Sequence, residues 1–118
     1  MSAFQHLELL SLGPVSRVRL LGQRAFGAEY VAELTEEWNS VADLGDCQAL
    51  YVDCSNVPIM SSEMLSKLIL LQRRLREKQA RLVLAGLRAE VREVLSWTKL
   101  DHFFEIDENK EQEIATSA

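Results

Sequence analysis

The sequence predicts a single mixed α/β domain in which an antiparallel hairpin leads into three units that alternate helix and strand. Three observations predict it. The 118 residues suit one hydrophobic core. Short apolar runs bounded by turn residues alternate with longer stretches whose apolar residues recur every three or four positions. The first two short runs are separated only by a Gly13-Pro14 turn, whereas the later ones are separated by whole helices. Strands joined through helices imply parallel neighbours with right-handed crossovers. The order is therefore β-β-α-β-α-β-α-β, with a mixed sheet of about five strands.

Each element has its own signal. Residues 7–12 read as a strand with Glu8 as its polar break. Residues 15–21 read as its hairpin partner. A helix is expected from about Ala28 to Asp43, with Tyr30, Val31, Leu34, Trp38, Val41 and Ala42 on one buried face. Glu29, Glu33, Glu36 and Glu37 form its wet side, and Leu44-Gly45 offers a C-cap. Residues 49–54 have the character of a central strand covered on both faces. Residues 62–78 form a second helix, with Met64, Leu65, Leu68, Ile69, Leu71 and Leu75 inward and Leu70 widening the stripe. Residues 81–85 are a buried strand closed by Gly86, and residues 89–98 a helix with Val91, Val94 and Leu95 inward. Residues 104–106 form a last short strand. The domain spans 1–107, and the polar residues 108–118 read as a disordered tail. Trp38 and Trp97 are both expected to pack within their helices.

Composition narrows function. A net charge of −5 disfavours nucleic acid as a partner. Arg73, Arg74, Arg76 and Lys78 fall late in a helix, where cations complement the dipole, and read as a solvated face. The N-terminus lacks a signal peptide pattern, and no apolar run is long enough to span a bilayer. A cytoplasmic protein without membrane insertion is expected. Cys47 and Cys54 lie at no metal-ligand spacing, Cys54 reads as a buried free thiol, and His6 and His102 stand far apart. No metal or cofactor is expected. Neither a dinucleotide nor a P-loop glycine pattern occurs, and no histidine is placed to activate a serine. Asp53 and Glu63 are the one carboxylate pair near a strand end, and a structural role outweighs acid/base chemistry there. No catalytic residues are assigned.

One segment carries a link to function. Tyr51-Val52-Asp53-Cys54 runs into Ser55-Asn56-Val57-Pro58-Ile59-Met60, and Ser61-Ser62 then opens the second helix. Ligand sites in open α/β sheets gather beyond the carboxyl ends of strands. Hydroxyls at a helix start meet unpaired N–H groups and a dipole that favours negative charge. Capping and phosphate acceptance are both open to Ser61 and Ser62, and the roles are compatible. Pro58 fixes the turn and biases Val57 to an extended shape. Met60 and Met64 are core residues or a soft apolar contact, with core favoured for at least one.

The run Val52-Asp53-Cys54-Ser55-Asn56-Val57-Pro58-Ile59-Met60-Ser61-Ser62, with Met64-Leu65-Ser66-Lys67-Leu68 after it, resembles the signature of STAS domains, which include anti-sigma factor antagonists. Residues 81–95 and 98–106 resemble the same family, so the likeness covers about residues 7–106. It implies a STAS-like fold and a non-catalytic partner-switch regulator. The implied partner is an anti-sigma factor and serine kinase of the histidine-kinase-like ATPase type, with a serine phosphatase to reset the switch. Aligning Leu65 and Leu68 with the family's leucines places Ser62 at the phosphoacceptor, with Ser61 as second choice. Ser61 then replaces the family's aspartate, Glu63 a small residue and Met64 a glycine. Glu63 beside a phosphate repels it by about 0.7 kcal/mol at ~6 Å in water, against about 0.3–1 kcal/mol offset by the helix start. The expected partner surface is Ser55, Asn56, Val57, Pro58, Met60, Ser61, Ser62, Glu63 and Met64.

The departures also support an alternative, a constitutive STAS interaction module or regulatory subunit of a transporter or signalling complex, not phosphorylated. Nucleotide binding at the same loop is a third reading, without a phosphate-cradling glycine loop to support it. A dimer through the leucine-rich helix is compatible with the pattern.

Overall fold

A computed structural model describes residues 4–21, 28–44 and 46–107. The elements are β1 (Leu7–Ser11), β2 (Val15–Leu20), α1 (Ala28–Ala42), β3 (Ala49–Asp53), α2 (Ser62–Glu77), β4 (Arg81–Ala85), α3 (Ala89–Trp97) and β5 (Glu105–Asp107). The strands form one sheet in the order β1-β2-β3-β4-β5. β1 and β2 are antiparallel, with Leu7 opposite Leu20, and every later pair is parallel. The expected architecture and element order are therefore present.

Strand order in sequence order has a geometric consequence. Each right-handed crossover steps in the same direction, so each helix lands on the same face of the sheet. Val18, Leu20, Leu50, Val52, Leu82 and Leu84 share one buried cluster with the inner residues of α1, α2 and α3. Alternate residues point to the other face. There the register aligns Arg17, Tyr51, Val83 and Glu105, with Arg19, Asp53, Ala85 and Asp107 in the next row. The Arg17 guanidinium lies 4.4 Å from the Tyr51 ring centroid, and Arg81 pairs with Glu105. The expectation that β3 is covered on both faces holds for Ala49, Leu50, Val52 and Asp53, with Tyr51 half-buried, although the two faces are covered differently. Helices cover one face, and flanking side chains partly shield the other.

The helices follow their periodicity closely. Tyr30, Val31, Leu34, Trp38, Val41 and Ala42 are buried, as are Met64, Leu65, Leu68, Leu71 and Leu75. Ile69 and Val94 are only half-buried, while Gln72 is buried with its Nε2 donating to the Phe103 carbonyl at 2.7 Å. Glu37 is not simply wet, because its carboxylate accepts the Gln5 and His6 backbone N–H groups and ties the N-terminal segment to α1. Trp97 is 76 % exposed, contrary to the packing expected of it. It ends a helix of only nine residues, whose buried residues Val91 and Leu95 leave the Trp97 azimuth to solvent. Glu29's side chain, the Gly45 cap and the tail at 108–118 lie outside the described residues.

The late basic cluster of α2 divides in two. Arg74 makes two 2.7 Å bonds to Asp43, and Lys78 donates to the carbonyls of Ala42 and Leu44. The Lys78 bonds satisfy the last carbonyl of α1 and one just beyond it, while the Arg74 pair ties α2 to the Asp43 side chain. Arg73 and Arg76 are exposed. Among the described residues no helix is long and apolar enough to cross a membrane.

Cys47 and Cys54 are buried free thiols. Burial, and after it the neighbouring Asp53 charge, pushes the Cys54 thiol up to about 12. It therefore stays protonated near neutrality and is a poor nucleophile. Thiol-specific alkylation at neutral pH is expected to spare Cys54 in the native protein and to label it after unfolding, read by mass spectrometry. The unfolded thiol ionises first, so Cys54 favours unfolding increasingly as pH rises from about 9 towards 12.

Candidate functional site

The site is built at the carboxyl end of β3. Asp53 is the last strand residue and 6 % exposed. Its Oδ1 accepts the Ser55 N–H at 2.9 Å, and its Oδ2 accepts from Arg19 Nε at 3.3 Å. Val57 N–H donates back to the Cys54 carbonyl at 2.9 Å and closes the first turn of the loop. Val57 and Met60 then plug into the core. Between and beside these two anchors, Asn56, Pro58 and Ile59 are exposed.

A second corner grips the same loop. Gly86, at the carboxyl end of β4, has a φ of +66°, and a Cβ there would lie 2.7 Å from Asp53 Oδ1 and 3.2 Å from Ser55 Cβ. Arg88, at the N-cap of α3, donates from Nε to the Ser55 carbonyl at 3.0 Å. The Ser55 residue is thus held through its N–H by Asp53 and through its carbonyl by Arg88. Gly86→Ala is expected to cost about 1–3 kcal/mol from backbone strain and the displaced carboxylate. Amide hydrogen exchange should report faster exchange at Ser55 than in the wild type, and unchanged protection there would contradict this account of the loop.

The structure separates the two serines. Ser61 is the N-cap of α2, with extended backbone, and its Oγ accepts the Met64 N–H at 3.1 Å. Ser62 is the first helical residue and is exposed. Glu63 is exposed in the same first turn, where its carboxylate complements the helix dipole. Leu65 N–H donates to the Ser61 carbonyl. The unpaired N–H groups of the first turn belong to Ser62 and Glu63 themselves.

Some expected contact residues are not surface at all. Val57 is 2 % exposed, Met60 5 % and Met64 2 %, because their apolar side chains seat the loop and helix start on the core. They support the surface and do not form it. Ser55 and Ser61 are half-buried, and Asn56, Pro58, Ser62 and Glu63 remain exposed. Asp53 is committed to Ser55 and Arg19, so it offers no free carboxylate to pair with Glu63 for acid/base work. Sequence reading missed Ile59, which is 69 % exposed. It also missed Arg88. An arginine two residues past a strand-closing glycine is a faint signal, and its target became visible only in three dimensions. Among the described residues no cluster of three or more His, Cys, Asp or Glu could hold a metal ion.

The STAS domain family model matches residues 24–113. No curated protein sequence matches. Among solved structures, an anti-sigma-factor antagonist (STAS) domain protein from Planctomyces limnophilus superposes with a TM-score of 0.75 at 15 % identity, covering 95 % of this chain and 98 % of that one. The anti-sigma factor antagonist SpoIIAA in its unphosphorylated form gives 0.71 at 15 % identity, covering 94 % and 96 %. The Bacillus cell fate determinant SpoIIAA in its phosphorylated form gives 0.65 at 15 % identity, covering 95 % and 99 %. At that identity the likeness is one of fold.

Proposed function

The chain belongs to the STAS domain family, and on that footing we propose that it is a partner-switch regulator of the anti-sigma factor antagonist kind, without catalysis of its own. Unmodified, it docks a partner through the loop before α2 and the start of that helix. The partner is an anti-sigma factor and serine kinase of the histidine-kinase-like ATPase type. Phosphorylation of Ser62 then breaks the contact, and a serine phosphatase restores it.

The observation that carries this reading is the division of labour between the serines. The Ser61 hydroxyl is engaged as the helix cap, while Ser62 is exposed on the first turn. A phosphate on Ser62 adds about −1.5 to −2 charges beside Glu63, in the middle of the docking face. Desolvating that charge against a partner is unfavourable. SpoIIAA, which shares the fold, is itself known in phosphorylated and unphosphorylated forms.

The test is phosphotransfer. The protein is incubated with ATP and each serine kinase of this ATPase type encoded in the same genome, and the product is mapped by mass spectrometry. One phosphate on Ser62 is expected. Stoichiometric binding with no phosphate on Ser62 or Ser61 would remove the switch and leave the constitutive module, a reading favoured by Glu63 and Met64 standing where the family has small residues.

A further inference from the structure

We infer that the outer stripe of α2 extends the docking surface past the loop, and that it fits a protein partner with an apolar centre and carboxylates facing the distal half of the helix. The inference deepens the proposed function and rests on the reading of the loop as a partner site.

Size argues for the extension. The exposed residues around the serines are few, namely Asn56, Pro58, Ile59, Ser62 and Glu63. A specific protein interface engages about 20–30 residues a side. The loop therefore needs a neighbouring surface, and α2 offers a continuous one. At about 100° per residue, Ser62, Ser66, Ile69, Leu70 and Arg73 fall within an arc of about 100°. Ser62, Ser66, Leu70 and Arg73 are exposed and Ile69 is half-buried. Leu70 is 52 % exposed, so an aliphatic anchor follows Ser62 by two turns, as Ile59 precedes it in the loop. Arg73 stands nearly in line with Ser62, about 16 Å further along the axis.

Charge indicates the partner. The chain carries a net −5, yet α2 holds Lys67, Arg73, Arg74 and Arg76 against Glu63 and Glu77. Arg74 is taken up by Asp43. Arg73, within the stripe, and Arg76, at its edge, make no ion pair with the described residues and sit on the solvent side. Cations concentrated beside an exposed leucine on an otherwise acidic protein complement an apolar patch rimmed by carboxylates, and they steer its approach. Nucleic acid fits poorly, because the acidic remainder of the molecule repels it.

The experiment measures binding kinetics against the kinase that phosphorylates or binds the wild type, at about 50 mM and about 300 mM salt. Leu70→Ala is expected to weaken binding about tenfold, mainly through faster dissociation. Arg73→Glu is expected to slow association about fivefold at low salt, with the difference shrinking at high salt. Lys99→Glu, at an exposed cation beyond α3, should change neither, and all three should melt with the wild type. Wild-type binding by Leu70→Ala and Arg73→Glu, with Ser62→Asp still defective, would overturn the inference and confine the footprint to the loop. If Ser62→Asp also binds normally, or no such kinase binds the wild type, the loop reading fails and the inference with it. Self-association of the wild type that Leu70→Ala abolishes would assign the stripe to a second copy and also overturn it.

Discussion

Ser62→Asp is expected to lower affinity for the proposed partner kinase about a hundredfold, whereas Ser62→Ala should bind within a few-fold of the wild type. A carboxylate buried at an interface without a counter-charge costs about 2–5 kcal/mol, and each ~1.4 kcal/mol is tenfold in affinity. Losing the hydroxyl alone costs little, because Ser62 is exposed at the first helical position and is not the cap. Ser61→Ala should behave in the opposite way. It removes the oxygen that accepts the Met64 N–H, so stability falls by about 1 kcal/mol while a partner contact through Ser62 persists. Calorimetric titration and thermal melts of these three variants and of Ser61→Asp separate the roles. Loss of affinity in Ser61→Asp but not Ser62→Asp would reverse the assignment.

Trp38→Ala is expected to destabilise the fold by about 3–5 kcal/mol, a large share of the ~5–15 kcal/mol typical of a domain. Trp38 is fully buried at 0 % exposure, in the cluster that joins α1 to the sheet. Its indole N–H is buried and has no hydrogen-bond partner among the described residues. Such an unpaired donor costs about 1–3 kcal/mol. Trp38→Phe should therefore lose much less, because removing the donor offsets part of the cavity. Urea unfolding followed by circular dichroism measures both. The Trp38→Phe protein retains only Trp97, 76 % exposed, so its native fluorescence should already resemble that of the unfolded chain. A Trp38→Phe loss equal to that of Trp38→Ala would show that the N–H is satisfied in solution.

The α1 and α2 faces were legible because a helix that buries one stripe must repeat its apolar residues at the helical period. Ends were less legible. α2 stops at Glu77, and Gln79 then takes a left-handed φ of 63° without a glycine to announce it. Trp97 was misread because large aromatics are usually buried, and only the short α3 and its neighbours decide which azimuth stays wet. The site was legible in part. The serines stood out because a strand, a turn and a helix start meet there, while periodicity cannot distinguish a methionine under the loop from one on its surface.

The sequence by itself determined the element order, the mixed sheet, the family resemblance and the location of the serine step. These depend on local spacing and on residues adjacent in the chain, where helix period, turn chemistry and capping act. Only the tertiary structure decided that the helices share one face, that Val57, Met60 and Met64 are supports, and that Ser61 caps while Ser62 stays exposed. The same is true of the grip on Ser55 by Asp53, Gly86 and Arg88, whose members are up to 35 positions apart. Those outcomes depend on which strands become neighbours, and burial and hydrogen bonding across that distance are set by the packed sheet.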